Sequence, residues 1–457
     1  MVFTLSNVCV KIKKNKNGEC KMNNTIKVTR SIPVVSECDV VVCGGGPAGI
    51  IAALAAARNG AKTALVERYG FLGGAATASL VNPISVFKSN GEQVIRGIPW
   101  EFVERLGELG GAIDDYENGN VPVDAERYKL VAQRMLIESG VRLFLHSYVS
   151  DVVRNGKTLS HVIINNKNGT VAVAGKYFID CTGDADVCAL AGFPMQDMPG
   201  KDGMQPASLG FRIGGVRLDL ITGLHPRTPG AKFQMYSVRE KFESLEGIEE
   251  IPNFGGPWFC TVLNDEAGIV NVNITRTAAD ATDGDSVTET ECKLREDIFR
   301  LFELLKKYVP AFKDSYLIYT ATQVGFRESR RIKGNHILTA DEYVEAIHFE
   351  DSVARGAHPI DIHRATDSKQ DVRFLSRAGY VPYRSMISDE LDNIIVAGRC
   401  ISADRATFAS IRVQATAMAL GQAAGTAAAI CIKDGTPVNK VNVKELVALL
   451  KDQGAEV

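Results

Sequence analysis

The sequence has no excess of positive charge: 52 Lys and Arg stand against 54 Asp and Glu, a formal net charge of −2. This argues against nucleic acid as a partner, because phosphate neutralisation needs a basic face. Grouped cysteines are also missing. The ten, at 9, 20, 38, 43, 181, 188, 260, 292, 400 and 431, form no C-x-x-C pair and no zinc-like spacing. An iron–sulfur cluster would need four grouped thiolates, so neither a cluster nor another metal site is expected. Scattered thiols fit a reducing compartment, and a cytoplasmic protein is the expectation. No run of about 20 strongly apolar residues suggests a membrane span; the most apolar stretch, 415–432, is largely alanine and interrupted by Gln422, and reads as a buried helix. Residues 1–36 carry Lys11, Lys13, Lys14, Lys16, Lys21, Lys27 and Arg30 without an apolar core or a cleavage signal. They read as a basic, poorly ordered extension, or as a start placed upstream of Met22, rather than as a targeting peptide.

What is present is an ordinary globular balance, 45% hydrophobic and 23% charged. At 457 residues the chain exceeds one compact core, so two domains or one domain with a large insertion are expected. The clearest unit opens at Asp39. Val40, Val41 and Val42 form a continuous apolar run, as a buried parallel strand does. The turn Gly44-Gly45-Gly46-Pro47-Ala48-Gly49 follows, then a helix closed by Asn59-Gly60, then a strand over 62–66 ending at Glu67. Strand, glycine turn, helix and strand make one βαβ unit in about thirty residues. In such a unit Gly44 permits the tight turn, Gly46 lets backbone approach a pyrophosphate, and Gly49 lets helix and strand pack closely. The helix start, with Pro47 and Ala48, faces the phosphates. Glu67 is placed to accept ribose hydroxyls and would repel a 2′-phosphate, so a dinucleotide with an unphosphorylated adenosine ribose is expected.

Further strands are expected over 141–145, 148–153, 170–173 and 176–179, the last leading into Asp180-Cys181-Thr182-Gly183-Asp184. From about 200 to 375 the pattern changes to β-like runs (207–213, 268–275, 317–324) and one amphipathic helix over 288–308. A last parallel strand, 393–399, enters a turn before a long small-residue helix. The expected fold class is α/β. A three-layer Rossmann-like domain is built from 37–200 and 376–435, with a mixed α+β substrate or cap domain, 201–375, inserted between them. Residues 436–457 form a C-terminal helix and tail.

After Glu67 the chain reads Arg68-Tyr69-Gly70-Phe71-Leu72-Gly73-Gly74-Ala75-Ala76-Thr77. The second glycine pair lets it fold over the pyrophosphate toward a bulkier ring than nicotinamide. Residues 67–74, the Thr182-Gly183-Asp184 turn and the strand closing at Gly398 together resemble FAD-dependent oxidoreductases with a glutathione-reductase-like FAD domain. More narrowly, Gly325-Phe326-Arg327-Glu328-Ser329-Arg330-Arg331-Ile332-Lys333-Gly334, Tyr380-Val381-Pro382-Tyr383-Arg384-Ser385 and Val396-Ala397-Gly398-Arg399-Cys400-Ile401-Ser402-Ala403-Asp404 resemble a large family of FAD-dependent oxidoreductases distantly related to fumarate reductase flavoproteins. The resemblance runs from about 37 to 435; its motifs specify FAD well and substrate poorly.

It implies that Gly44, Gly46, Gly49, Glu67, Arg68, Gly73 and Gly74 hold the ADP half and cover the pyrophosphate. Val149 meets adenine through its backbone, and Thr182 with Gly183 makes a second crossing near FAD. Gly398, Arg399 and Asp404 contact the ribityl–phosphate region. Arg412, Val413 and Gln414 open the last helix toward the flavin pyrimidine edge, where reduced flavin is anionic. For Asp404 and Arg412 an ordinary cap and a surface charge remain the alternatives. No histidine lies in 73–77, where fumarate reductase relatives can carry a covalent link, so noncovalent FAD is expected. No second G-x-G-x-x-G follows a strand, and no C-x-x-x-x-C pair is expected near the flavin, so disulfide chemistry is not expected.

Residues 325–412 hold eleven arginines and four of the seven histidines. Guanidinium forks suit carboxylate or phosphate, so the cluster admits an anionic substrate; surface ion pairs account for it equally well. Within His358-Pro359-Ile360-Asp361-Ile362-His363-Arg364, a strand would put Asp361 and His363 on one face and His358 on the other. An Asp-oriented His363 could move the proton that accompanies hydride transfer, and a structural His363 is the equal alternative. The mixed facing makes poor metal geometry. Arg327, Arg331, Tyr383 and Arg384 complete the catalytic candidates. The expected activity is hydride transfer between FAD and a small organic substrate, with the electron partner and oligomeric state open. A flavin monooxygenase and a non-redox or electron-transfer subunit are the rival readings.

Overall fold

Strand Val34–Cys43 sits at the middle of a seven-stranded sheet in the computed structural model, which describes residues 11–14, 20–23, 26–112, 119–220, 235–260, 267–365 and 367–457. Val40, Val41, Val42 and Cys43 are fully buried, because helices or strands cover both faces of a parallel sheet. The neighbours on one side are Thr63–Val66 and then Arg142–Phe144, all parallel. On the other side lies Gly169–Asp180, also parallel. This long strand divides its far edge. Residues 169–174 pair antiparallel with Thr158–Asn166, which pairs in turn with Tyr148–Asn155; residues 178–180 pair parallel with Ile394–Val396. The closing strand, far away in sequence, thus returns beside the first βαβ unit.

The two strands expected over 170–173 and 176–179 are one. Gly175 looks like a turn residue in sequence, but a Cβ there would lie 2.8 Å from Val41 Cγ2, so glycine serves strand-to-strand packing instead. Strand Thr158–Asn166 was not foreseen: its alternation breaks at Asn165-Asn166. The helix expected from 288 starts at Gly284, where the N-cap Asp283 accepts from Ser286 N at 2.7 Å.

A second hydrophobic core lies between a four-stranded antiparallel sheet and helix Gly284–Tyr308. The sheet order is Phe254–Cys260, Val270–Thr275, Phe211–Gly214, Tyr316–Thr320. Ile332, Leu338, Tyr343, Val353 and Ala354 pack in the first core, although the sequence placed 201–375 in the inserted unit. Leu446 and Leu450 of the C-terminal helix Val443–Asp452 join the first core too. Of the 1–36 extension, residues 1–10, 15–19 and 24–25 lie outside the described residues; Lys11–Lys14 pairs antiparallel with Cys20–Asn23, and Val34–Cys43 begins within it.

Helix Gln414–Asp434 is the one helix among the described residues long and apolar enough to cross a membrane, contrary to the sequence expectation that it falls short. It is buried along the glycine-turn helix Pro47–Arg58. A Cβ on Gly421 would lie 2.2 Å from Ala48 O, and one on Gly425 would lie 2.2 Å from Ala52 O. Matching steps of four residues in the same direction make the two helices parallel, backbone nearly on backbone.

Candidate functional site

The glycine turn joins Val34–Cys43 to helix Pro47–Arg58, and each glycine has a separate reason. Gly44 has φ +99°, and a Cβ there would lie 2.5 Å from Cys181 O. At Gly49 a Cβ would lie 1.8 Å from Gly44 O, so the helix start is pressed on the turn. Gly46 differs: the nearest atom to a Cβ is Gly74 Cα at 3.8 Å, which leaves open space above its backbone. Gly46 is also the N-cap and provides no side-chain hydrogen bond, so the first-turn N–H groups point out uncapped. The second glycine pair docks on the first: Gly73 N donates to Gly45 O at 2.8 Å. Together they form a backbone cradle shaped for a diphosphate.

Glu67 ends the second strand, buried, with Oε2 accepting from Gly45 N at 2.6 Å and Oε1 from Tyr69 N at 2.9 Å. Burial pushes its carboxyl upward against the pull of these N–H donors. Each oxygen retains a lone pair for a ribose hydroxyl. The chain returns past this acid: Ser147 N donates to Glu67 O at 2.9 Å, and Val149 lies two residues further on. Arg68 reaches instead toward the inserted unit, donating to Gln323 Oε1 at 2.8 Å; Tyr69 hydrogen-bonds the same oxygen.

Thr182 and Gly183 cross beside the closing strand. Thr182 donates through N and Oγ1 to Asp180 Oδ1, and Gly183 takes φ +83° under the Arg399 guanidinium. Arg399 pairs with Asp184 at 2.5 Å. Burial opposes ionisation of Asp184, but Arg399 and Ser329 outweigh it and hold the carboxyl below its ordinary value. Gly398 (φ +99°) brings the closing strand against Ala48. Asp404 takes the alternative role: Oδ1 caps helix Arg405–Ile411 through Thr407 N at 2.7 Å, and Oδ2 accepts from Ala340 N at 2.8 Å.

Val413 is the N-cap of helix Gln414–Asp434 and, like Gly46, provides no side-chain cap. Ala48 is the second residue of its helix and Gly421 the eighth of the other, so this second uncapped N-terminus extends six residues, about 9 Å, beyond the first. Two positive helix ends, parallel and staggered, suit a ligand with a diphosphate at one point and an electron-rich ring edge further along. The residues present fit FAD.

Next to the second helix end lies a polar cluster. Strand Ile360–His363 does put Asp361 and His363 on one face: His363 Nε2–H donates to Asp361 Oδ2 at 2.7 Å. Its other nitrogen, Nδ1, accepts from Arg276 Nη2 at 2.8 Å. Both ring nitrogens are therefore engaged, and an acid/base role would require one contact to open. Arg276 also donates to Asp367 O at 2.9 Å and Lys369 O at 3.0 Å, tying down the hairpin with strand Gln370–Arg373. Gly255 makes room for it, since a Cβ there would lie 2.0 Å from its guanidinium. Arg276 lies outside the 325–412 cluster and was missed; an arginine directly after the β-like run 268–275 was its only signal.

The motif 325–334 links this cluster to the glycine turns. Arg327 donates to Pro206 O at 2.8 Å and Ser208 Oγ at 2.7 Å. Glu328 accepts from Gln205 N at 2.9 Å and Arg331 Nη1 at 3.0 Å, while Arg330 Nε donates to Asp184 O at 2.8 Å. Arg412 lies 3.6 Å from Asp361 Oδ2, and Gln414 Nε2 donates to Val81 O at 2.8 Å. Tyr383 and Arg384 are elsewhere. Tyr383 is buried in the first core with its hydroxyl on Val438 O at 3.0 Å, and Arg384 pairs with Asp351 and stacks over Phe349.

Burial, with help from Arg327, lowers His363 to about 3; burial and Arg412 lower His358 to about 4. Both rings are neutral in the folded chain but titrate near 6.5 when unfolded. The unfolded state binds more protons below 6.5, so stability falls as pH drops from about 6.5 toward 4, by up to about 1.4 kcal/mol per pH unit per histidine. Urea midpoints measured from pH 7.5 to 5 should decline across this window. A flat profile would refute the neutral pair.

Residues 39–450 match the family model described as FAD dependent oxidoreductase. A thiamine thiazole synthase from Methanococcus aeolicus is 30% identical over 166 residues, 34% of this chain and 59% of that protein. One from Pyrococcus horikoshii is 28% identical over 155 residues, 32% of this chain and 58% of that protein. The chain thus spans under two thirds of these relatives' length. A solved geranylgeranyl bacteriochlorophyll reductase-like protein from Thermoplasma acidophilum has 14% identity and a TM-score of 0.47, covering 92% of this chain and 84% of that one. With the family model spanning both glycine turns, the closing strand and both staggered helix ends, the chain belongs to the FAD-dependent oxidoreductase family and takes FAD as its cofactor.

Proposed function

We propose that this enzyme transfers a hydride between noncovalently held FAD and a small organic substrate seated where the two cores meet. The observation that supports this most is the pair of uncapped, parallel helix N-termini offset by about 9 Å, the second beside the buried polar cluster. Bound FAD supplies the redox chemistry. The chain orients it: the Gly44–Gly46 and Gly73–Gly74 backbones receive the diphosphate, and Glu67 receives the adenosine ribose. Arg399, fixed by Asp184, lies beside the crossing at Gly183. The N-terminus at Val413 stabilises negative charge at the ring's pyrimidine edge. Asp361 and His363, locked by Arg276 and Arg412, act as a rigid wall that positions substrate. The stretch 73–77 holds no histidine, which supports noncovalent binding.

Purified protein should be yellow, and acid precipitation should release all its FAD at unmodified mass. Anaerobic mixing with fractionated metabolites should bleach the visible flavin band, and a dye acceptor should restore it. Flavin left on the precipitated chain would disprove noncovalent attachment. A flavin that no metabolite reduces would disprove hydride transfer, and fast oxygen-dependent reoxidation with hydroxylated product would mark a monooxygenase instead.

A further inference from the structure

The geometry points to a subsite for one oxyanion, the carboxylate or phosphate of the substrate, held by Arg327 and Arg412 with the amide of Gln205. It rests on the placement of substrate beside Val413 argued above.

The ion pairs separate these arginines from their neighbours. Of the eleven between 325 and 412, eight have carboxylate partners elsewhere, as Arg331 has Glu328 and Arg384 has Asp351. Arg373 is exposed on the surface. Arg412 shares Asp361 with His363. Arg327 has no carboxylate among the described residues; its hydrogen bonds go to a carbonyl and a hydroxyl. It is deeply surrounded by protein, and burial, Arg276 and Arg412 disfavour its charge while Asp361 favours it less strongly, yet it retains some accessible surface. A part-exposed guanidinium with neutral hydrogen-bond partners, two cationic neighbours and only the Asp361 carboxylate, already shared by Arg412 and His363, to favour its charge has capacity for a further anion.

Unpartnered buried atoms mark the same place independently. Gln205 is 1% exposed; its Oε1 accepts from His363 N at 3.2 Å, and its Nε2 has no partner. Arg412 Nε, also buried, has none. Both are donors, and buried donors are normally paired. Asp361 Oδ1 is an unpartnered acceptor beside them. A second anion there would be repelled, whereas a hydroxyl or ammonium group next to the first would be accepted, which limits the subsite to one oxyanion.

The test titrates the FAD-loaded protein with acetate, oxalate and inorganic phosphate, with acetamide as the uncharged control, and reads the visible flavin spectrum. A saturable shift with a carboxylate or with phosphate, and none with acetamide, is expected; the arm that binds identifies the oxyanion. Kd should weaken about 10-fold or more in Arg327→Met and several-fold in Arg327→Lys, and stay unchanged in Arg373→Ala. No saturable shift with any anion, or equal Kd in wild type and Arg327→Met, overturns the subsite. Should Arg327→Met fail to retain FAD, unchanged binding in Arg327→Lys overturns it equally. Anion binding in a protein whose flavin no metabolite reduces would leave the subsite standing and remove hydride transfer instead.

Discussion

Gly46→Ala is expected to leave the apoprotein folded and to weaken FAD binding about 10- to 100-fold. Gly46 has φ −76° and ψ −174°, which alanine adopts without strain, and a Cβ would meet nothing closer than Gly74 Cα at 3.8 Å. Apoprotein stability should therefore change by no more than about 0.5 kcal/mol. The added methyl would occupy the open space of the diphosphate cradle, and overpacking of that kind costs about 1–3 kcal/mol. At about 1.4 kcal/mol per tenfold this gives the stated loss. Titration of apoprotein with FAD, followed by quenching of flavin fluorescence, measures it, and an unchanged Kd would place the diphosphate elsewhere. Gly49→Ala is the contrast: its Cβ would fall 1.8 Å from Gly44 O, so the damage should appear in folding itself.

Arg276→Met should destabilise the protein by about 3 kcal/mol while FAD content stays at the wild-type level. The side chain is 1% exposed and donates to two carbonyls at 3.0 Å or less and to His363 Nδ1. Methionine fills similar space but leaves these acceptors buried without donors, and each such loss costs about 1–3 kcal/mol. Relief of the buried charge offsets part of this: burial, with Arg239 nearby, already lowers Arg276 to about 10. The loss should concentrate in the hairpin, so amide exchange in a peptide spanning 360–373 should quicken more than in strand Val34–Cys43. Uniform acceleration would refute this local role.

Much of the cofactor region was legible because its signals are local. The turn at Gly44–Gly49, the acid at Glu67 and the pair Gly73–Gly74 fall within thirty-one residues, where steric need and chain geometry act over short range. The Asp361–His363 contact was legible too, since a strand's period of two dictates it. What escaped depends on contacts across the chain. Arg276 reaches carbonyls about ninety residues away, and Gln205 reaches Glu328 and His363 from a loop with no periodic pattern. Tyr383 illustrates the reverse error. Its place in the family-like segment 380–385 and its closeness in sequence to the FAD segment suggested a site, whereas its ring faces the first core and its hydroxyl finds Val438 O. Gly175 shows how one residue type misleads, since its small size serves packing rather than a turn.

The glycine seam between Pro47–Arg58 and Gln414–Asp434 makes the cofactor region a bivalent receptor with a rigid spacer. With Gly421 on Ala48 and Gly425 on Ala52, neither helix can slide without a backbone collision, so the distance between the two positive ends is invariant. A ligand that engages one end presents its other half to the second at high effective concentration. Avidity of this kind rewards the intact dinucleotide and discriminates against its separate halves.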